Sequence, residues 1–345
     1  MSAKRITIKD VAQLAKVSVM TVSRAISQPH TLSPKTLNRV QEAIDELDYH
    51  VNLSARSLTG SKSKTIGICV SSFQKLFFST YFFEMANGIE EIVRNKGYSL
   101  LIHDIYGGDQ SNKYSLLKDR RIDGMIVYSP RENDISLDLL KQQGYNFISV
   151  SGYPATKKID FVDGDNHSGI HLAVEHLVKL GHTRIAFIKG LDYLSDAIDR
   201  FEAFKDSLQL FNVPLVEEYI ITGDFLSDVA FNATKPLFKL PNPPTAIVAA
   251  NDFMAIGAIE AMNSMGIKVP DDVAVIGFDD IEVAQHMSPT LTTIRQPVLE
   301  MGKRAAELLF DKINGKYENE IIQEYLPMKL IVRESCGSQL KKEIK

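Results

Sequence analysis

The chain has 345 residues, 44% hydrophobic and 24% charged, which suits two or three globular domains and excludes a disordered or fibrous protein. Two cysteines, Cys69 and Cys336, exclude a disulfide-stapled scaffold and agree with a reducing compartment; no run of about 18 apolar residues offers a membrane span. Net charge is −4, yet residues 1–64 carry ten Lys/Arg against five Asp/Glu and the remainder 29 against 38, so a basic head suited to a polyanion precedes an acidic body.

The head reads as three short helices. Thr7 is an N-cap for a helix over about residues 7–15, with Val11, Leu14 and Ala15 as its apolar stripe. Lys16-Val17 makes a tight turn, and Ser18 caps a second helix over 19–26. Its Val22, Ala25 and Ile26 face inward, while Val19, Met20, Ser23 and Arg24 face outward; Pro29 stops it. Ser33-Pro34 opens a third helix whose Leu37, Val40, Ala43, Ile44 and Leu47 form one face. Two helices joined by so short a turn make a helix-turn-helix, whose second helix enters the major groove of DNA. Ser18, Thr21 and the second helix's N-terminus suit phosphates, with Thr7, Ser33 and Thr36 at the other helix starts as further candidates. Arg24 can donate two bonds to guanine N7 and O6, and Val19 and Met20 offer apolar contact to thymine methyls. A generic three-helix bundle is the competing reading of the same periodicity.

Residues 59–65, TGSKSKT, have a linker composition. Strand-like runs follow at 66–70, 99–103, 124–128, 146–150, 184–188, 218–222, 245–250 and 273–278. Helical patterns fall between them at 80–96, 110–119, 134–143, 166–180, 197–211, 227–239 and 252–264. This alternation implies an α/β body with parallel sheets covered on both faces, and the strands are too many for one compact sheet. They group into two sets that break near 160–165. Ligands of open parallel sheets bind beyond the carboxyl ends of the strands. The candidates there are Ser72, Tyr81, Phe82, Asp196, Arg200, Phe225, Asn251, Asp279 and, further on, Gln296. A sugar-like ligand needs bidentate polar groups and an aromatic plate, which Arg200, Asn251, Asp279 and Gln296 with Phe225 or Phe82 can supply. Each has a plainer reading: Asn251-Asp252 as a helix cap, Phe225 as core, Arg200 as a surface ion pair with Glu202 or Asp196.

Residues 10–24, DVAQLAKVSVMTVSR, then LSPKT at 32–36 and NLSARSL at 52–58, resemble the lactose/galactose repressor family of bacterial transcription regulators. The likeness continues through DRFEAF at 199–204, GDF at 223–225, ANDFMAIG at 250–257, GFDD at 277–280 and PTLTTIRQ at 289–296. It implies a periplasmic-binding-protein-like body of two subdomains with the effector in the cleft between them. It implies that Val19, Met20 and Arg24 read bases. Asn52, Ala55 and Leu58 would belong to a hinge helix in the minor groove, with Leu58 wedged into a central base step. The expected division is 1–50 helix-turn-helix, 51–64 hinge and linker, 65–161 plus about 292–320 first subdomain, and 162–291 plus about 321–345 second subdomain. Three departures stand out: a longer loop at 72–80, Ser151 where aspartate is common, and Ile198 where a second arginine is common. Met20 replaces the usual alanine.

Catalysis finds no support. No Gly-rich phosphate loop or nucleophile elbow is present, no Cys–His pairing is readable, and His171, His176 and His182 do not share a helix face. No cofactor or metal is expected. The expectation is a cytoplasmic, homodimeric, ligand-responsive repressor of a carbohydrate operon. It would bind a pseudo-palindromic double-stranded operator and a sugar or sugar-phosphate effector. Control by a purine, a nucleoside or a phosphocarrier-protein corepressor is the alternative, and a pure solute-binding protein is the rival class.

Overall fold

The computed structural model describes residues 6–49, 62–70, 80–105, 114–131, 134, 136–153, 158–317 and 320–338. The chain divides into two compact units, Met1–Ser63 and Lys64–Lys345.

The head contains α1 (Ile8–Leu14), α2 (Val19–Ser27), a 3-10 turn (Pro29–Thr31) and α3 (Pro34–Glu46). Val11, Ala12, Ala15, Val22, Val40 and Ala43 form its buried core, with Ile8, Val17, Ala25, Ile26, Ile44 and Leu47 packed around it. Leu14, expected inside, is 40% exposed; Ala12 takes the inward position, which rotates the apolar stripe of α1. Lys16 adopts φ 50, and its carbonyl accepts from Arg39 Nη2 at 3.3 Å, so the tight turn is held from α3.

The body alternates strand and helix. Its first stretch runs β1 (Thr65–Val70), α4 (Thr80–Asn95), β2 (Ser99–Asp104), α5 (Ser115–Lys118), β3 (Gly124–Tyr128), α6 (Ser136–Gln142), β4 (Phe147–Val150) and β5 (Phe161–Gly164). Next come α7 (Asn166–Lys179), β6 (Ile185–Lys189), α8 (Ser195–Leu210), β7 (Ile220–Thr222), α9 (Ser227–Thr234), β8 (Ala246–Ala249), α10 (Asp252–Ser264) and β9 (Ala274–Asp279). The last elements are β10 (Thr292–Arg295), α11 (Val298–Ile313), β11 (Gln323–Leu326) and β12 (Lys329–Ile331). Two six-stranded sheets result, ordered β11-β5-β4-β3-β1-β2 and β12-β10-β9-β8-β6-β7. Among the described strands every pairing is parallel except that of β12 with β10. Central strands such as β3, β4, β8 and β9 are buried through most of their length, as sheets covered on both faces require.

Strand pairing corrects the expected boundaries. β5 belongs to the first sheet, so the chain first leaves that sheet after Gly164, not at 161. β10 pairs with β9, which places Thr292 in the second sheet; the crossing expected near Thr292 follows Arg295 instead. β11 pairs with β5, so the return expected near Ile321 comes after Leu326. β5, β10, β11 and β12 are three or four residues long and include Asp163, Arg295, Glu324 and Lys329, so they give no readable apolar run. The helix expected over 227–239 ends at Thr234 and continues as a 3-10 turn, because Pro236 cannot donate the next helical bond. Of the helix expected over 110–119, the described part is α5.

Three crossings between the sheets, after Gly164, Arg295 and Leu326, bring their carboxyl ends to one cavity. α4 and α11 cross almost backbone to backbone: a Cβ on Gly88 would sit 2.2 Å from Leu299 O, and one on Gly302 2.2 Å from Met85 O. That contact seats α4, and with it Tyr81, against the segment that follows β10.

Candidate functional site

Two sites are legible, one in each unit. In the head, the residues expected to meet DNA fall into capping pairs and an outward face. Thr7 N donates to Asp10 Oδ2 at 2.8 Å and the Thr7 hydroxyl to the same oxygen at 2.6 Å. Ser18 Oγ accepts from Thr21 N at 3.1 Å, and Ser33 Oγ from Thr36 N at 3.3 Å. Each hydroxyl therefore helps fix a helix start while staying near solvent. Val19 and Met20 are 41% and 65% exposed, which buries neither in the head. Arg24 is exposed and Ser23 partly so, on the same outward face of α2. Asn52, Ala55 and Leu58 lie outside the described residues, and so does Ser72 of the body.

In the body, a cavity of about 400 Å³ lies at the strand ends. Tyr81, Asp196, Arg200, Phe225, Asn251, Asp279 and Gln296 line it, as the strand-end rule anticipates. Phe82 does not. It is 3% exposed and packs edge-on against Tyr128 with centroids 5.2 Å apart. One residue along a helix turns the side chain by about 100°, so Tyr81 faces the cavity and Phe82 the core. Tyr128, Ser129, Ser151, Leu191, Leu194, Asp224 and Phe253 also line it and were not selected from the sequence. Ser129, Ser151 and Asp224 directly follow strands or their last turns, so the same rule could have found them; the leucines and Phe253 carry no chemical signal.

The polar wall is a connected network. Arg200 is 4% exposed; its Nε donates to Asn166 Oδ1 at 2.7 Å and its Nη1 to Ala250 O at 2.7 Å. The guanidinium lies 4.0 Å from the Phe278 ring centroid and 3.9 Å from Asp279 Oδ1. It is thus a buried group with fixed orientation, not the surface pair with Glu202, which binds Lys205. Gln296 Nε2 donates to Asp279 Oδ1 at 2.7 Å, and the Tyr81 hydroxyl donates to Gln296 Oε1 at 3.2 Å. Tyr81 and Ser151 come from elements of the first sheet, Asp279, Gln296 and Asp196 from the second. Ser151 Oγ lies 3.1 Å from the Tyr81 hydroxyl and donates to Asp196 Oδ2 at 3.3 Å. The network therefore spans both sheets. Asn251 takes the capping role: its Oδ1 accepts from Met254 N at 2.9 Å, and its Nδ2 donates to Phe225 O at 3.3 Å. One amide hydrogen of Asn251 remains beyond those bonds.

Burial sets the electrostatics. Desolvation pushes the Asp279 carboxyl up to about 6 even though Arg200 and Gln296 hold it down. Asp163, behind the cavity at the end of β5, is raised well above the carboxylate range, by burial first and then by Asp196. Five of the lining residues, Ser129, Ser151, Asp224, Phe225 and Asp279, adopt positive φ without being glycine. Such strain concentrates where a fold over-determines a binding geometry. Phe225 is placed by Gly190: any Cβ there would lie 2.2 Å from the ring, so only glycine lets the ring rest on the strand end.

The histidines find separate partners. His171 stacks on Phe211, and His182 Nδ1 lies 3.0 Å from Thr245 Oγ1. His176 Nε2 lies 3.3 Å from Cys336 Sγ, a Cys–His contact hidden in the sequence by 160 residues of separation. Cys336 is 1% exposed and lies away from the cavity lining. Among the described residues no cluster of His, Cys, Asp or Glu could hold a metal ion, and no helix is long and apolar enough to cross a membrane.

Residues 7–52 match the family of bacterial regulatory proteins, lacI family, and residues 174–336 match a periplasmic binding protein-like domain. The chain is 33% identical over 332 residues to the HTH-type transcriptional repressor PurR of Vibrio vulnificus (strain CMCP6), covering 95% of this chain and 98% of that one. Among solved structures it is similar to a complex of the transcriptional regulator CelR with cellobiose, at 30% identity and TM-score 0.74 over 96% of this chain and 100% of that one. It is also similar to the lac repressor dimer bound to operator and the anti-inducer ONPF, at 27% identity and TM-score 0.84 over 96% and 99%.

Proposed function

The chain belongs to the lacI family of bacterial regulatory proteins and is a DNA-binding transcriptional repressor rather than an enzyme; from that premise we propose that a small ring compound in the body cavity sets how firmly the head holds its operator. The observation that carries this reading is the Tyr81–Gln296–Asp279–Arg200 network, which lines the cavity and joins groups from both sheets. A ligand bonding to that network contacts both halves of the body at once and so favours one of their arrangements over another.

The effector we favour is of carbohydrate class. Phe225 offers one ring face, and Arg200, Asp279, Asn251 and Gln296 offer planar, bidentate polar groups, the pairing that ring hydroxyls require. A phosphorylated sugar suits the cavity less well, because three carboxylates and one guanidinium line its described surface. A purine or nucleoside is the second reading, favoured by the likeness to a repressor named PurR and by the aromatic rings of Phe225, Phe253 and Tyr81. On DNA, the proposed roles are phosphate contact for Ser18, Thr21 and the helix starts at Thr7, Ser33 and Thr36, and base reading for Val19, Met20, Ser23 and Arg24. Asn52, Ala55 and Leu58 would enter the minor groove. A cytoplasmic homodimer would place two heads on half-sites about one helical turn apart, or a multiple of that. Titration calorimetry of the full chain against sugars, sugar phosphates and nucleobases tests the effector reading. Saturable binding of a sugar or base that Arg200→Ala abolishes supports it. Binding that Arg200→Ala leaves intact places the ligand elsewhere, and a stable complex with a phosphocarrier protein but no small ligand turns the reading to a protein corepressor.

A further inference from the structure

One side of the cavity is closed by contacts that the chain makes with itself. Residues Ser151–Tyr153, which leave β4 of the first sheet, lie against the first turns of α8 in the other half of the body. Ser151 Oγ donates to Asp196 Oδ2 at 3.3 Å, Tyr153 N donates to Ser195 Oγ at 2.9 Å, and the Tyr153 hydroxyl donates to Asp199. A Cβ on Gly152 would lie 2.8 Å from Ser195 Oγ, so the two segments meet with no room between them. Tyr153 is fixed from its own side, stacked on Phe161 with ring centroids 4.3 Å apart. A second contact lies beyond β3. There Arg131 pairs with Leu194 as an isolated antiparallel bridge, and its guanidinium lies 5.6 Å from the Tyr193 ring centroid. Both sides of that bridge are shaped within their own half. Arg131 O accepts from Asp134 N at 3.1 Å, and the buried Asp134 accepts from the Tyr114 hydroxyl at 3.0 Å. Leu194 N donates to Leu191 O at 3.0 Å, which closes a turn.

Position gives these contacts leverage. The crossings between the sheets follow β5, β10 and β11, at one margin of each sheet, whereas β3 lies two strands in from β5 and β6 three strands in from β10. A rotation about the crossings therefore parts Arg131 from Leu194 more than it disturbs Gln296. Leu191 and Leu194 also line the cavity, so the same bridge bounds it. We propose that the Arg131–Leu194 bridge and the bonds of Tyr153 to Ser195 and Asp199 form a clasp across the two halves of the body. The clasp parts to admit the effector and holds the closed arrangement by protein contacts in addition to those the effector makes. The inference rests on the cavity being the effector site, and it adds that closure has a stability of its own. Altering the clasp then moves operator affinity with no small molecule added.

An antiparallel pair holds its Cα atoms about 4.5–5.5 Å apart, within reach of a disulfide. The full-length double variant Arg131→Cys/Leu194→Cys therefore locks the clasp on oxidation, and its own reduced form is the comparison. The native Cys69 and Cys336 are each 1% exposed and shielded from the oxidant. Disulfide formation is read by mass spectrometry, and DNA affinity by fluorescence anisotropy on a duplex that the wild-type protein selects from random DNA. The expected result is a shift of about fivefold or more between the reduced and oxidised forms. Tyr153→Phe, which keeps the ring on Phe161 and loses the bond to Asp199, should shift affinity from wild type in the opposite direction. Oxidation that yields no disulfide overturns the clasp and leaves the effector reading standing. Shifts in the same direction overturn the clasp as a closing device. A disulfide that forms, with affinity within about twofold in both experiments, shows that the arrangement of the halves does not reach the head, and overturns the effector reading together with the inference.

Discussion

Asp279 shows how one residue carries both stability and binding. Burial raises its carboxyl to about 6, while Arg200 and Gln296 draw it back. It therefore binds its proton more tightly in the folded chain than in the unfolded one. Its contribution to stability falls as pH rises from about 4 through about 6 and is level above that. Asp279→Asn lacks this group, so its urea midpoint should gain on wild type between pH 4.5 and pH 7; a constant difference contradicts the burial argument. Arg24 makes the corresponding prediction in the head. Arg24→Ala should cost about 1–3 kcal/mol at one base pair and relax sequence choice there, read as operator against scrambled-site affinity by fluorescence anisotropy. An unchanged ratio removes Arg24 from base reading. The placement of such residues was legible because strand ends and a short helical turn position them. The choice between Tyr81 and Phe82 was not, since it depends on the phase of α4 against the sheet, and Asp163 sat in a strand too short to foresee.

At the scale of elements, helix starts were the most readable feature. Ser18, Ser33 and Asn251 each accept a backbone bond in the first turn they begin, so a residue type announces a local geometry. Strands at the sheet margins were the least readable. β10, β11 and β12 owe their place to pairing partners many residues away, and the crossings between sheets moved with them. The α4–α11 crossing belongs to the same class of long-range fact. Nothing in the sequence marked Gly88 or Gly302; each is explained only by the backbone carbonyl of the other helix that lies against it. Gly302→Ala should force the helices apart and lower stability by about 1–3 kcal/mol, measured as a drop in Tm. A melting curve unchanged from wild type would show that the two backbones do not approach as closely as described.

For the whole molecule, the two units divide the work by charge and by architecture. The head has a net excess of basic residues and an exposed face on α2; the acidic body has a cavity whose walls come from two sheets. Operator affinity should fall steeply with salt, since neutralising phosphates releases counterions. Effector binding should depend on salt far less, because the Arg200–Asp279 contact is buried. The two processes can then be linked by a coupling of only about 1–3 kcal/mol, a change of about 5–150-fold in operator affinity. The most direct test is operator affinity at fixed salt, with and without the best-bound member of the ligand panel, for wild type and Asp279→Asn. The expected result is a shift within that range in wild type. Asp279→Asn should keep wild-type ligand-free affinity and need about tenfold more ligand for the same shift. Saturating ligand that leaves wild-type operator affinity unchanged would contradict the claim that the cavity governs the head.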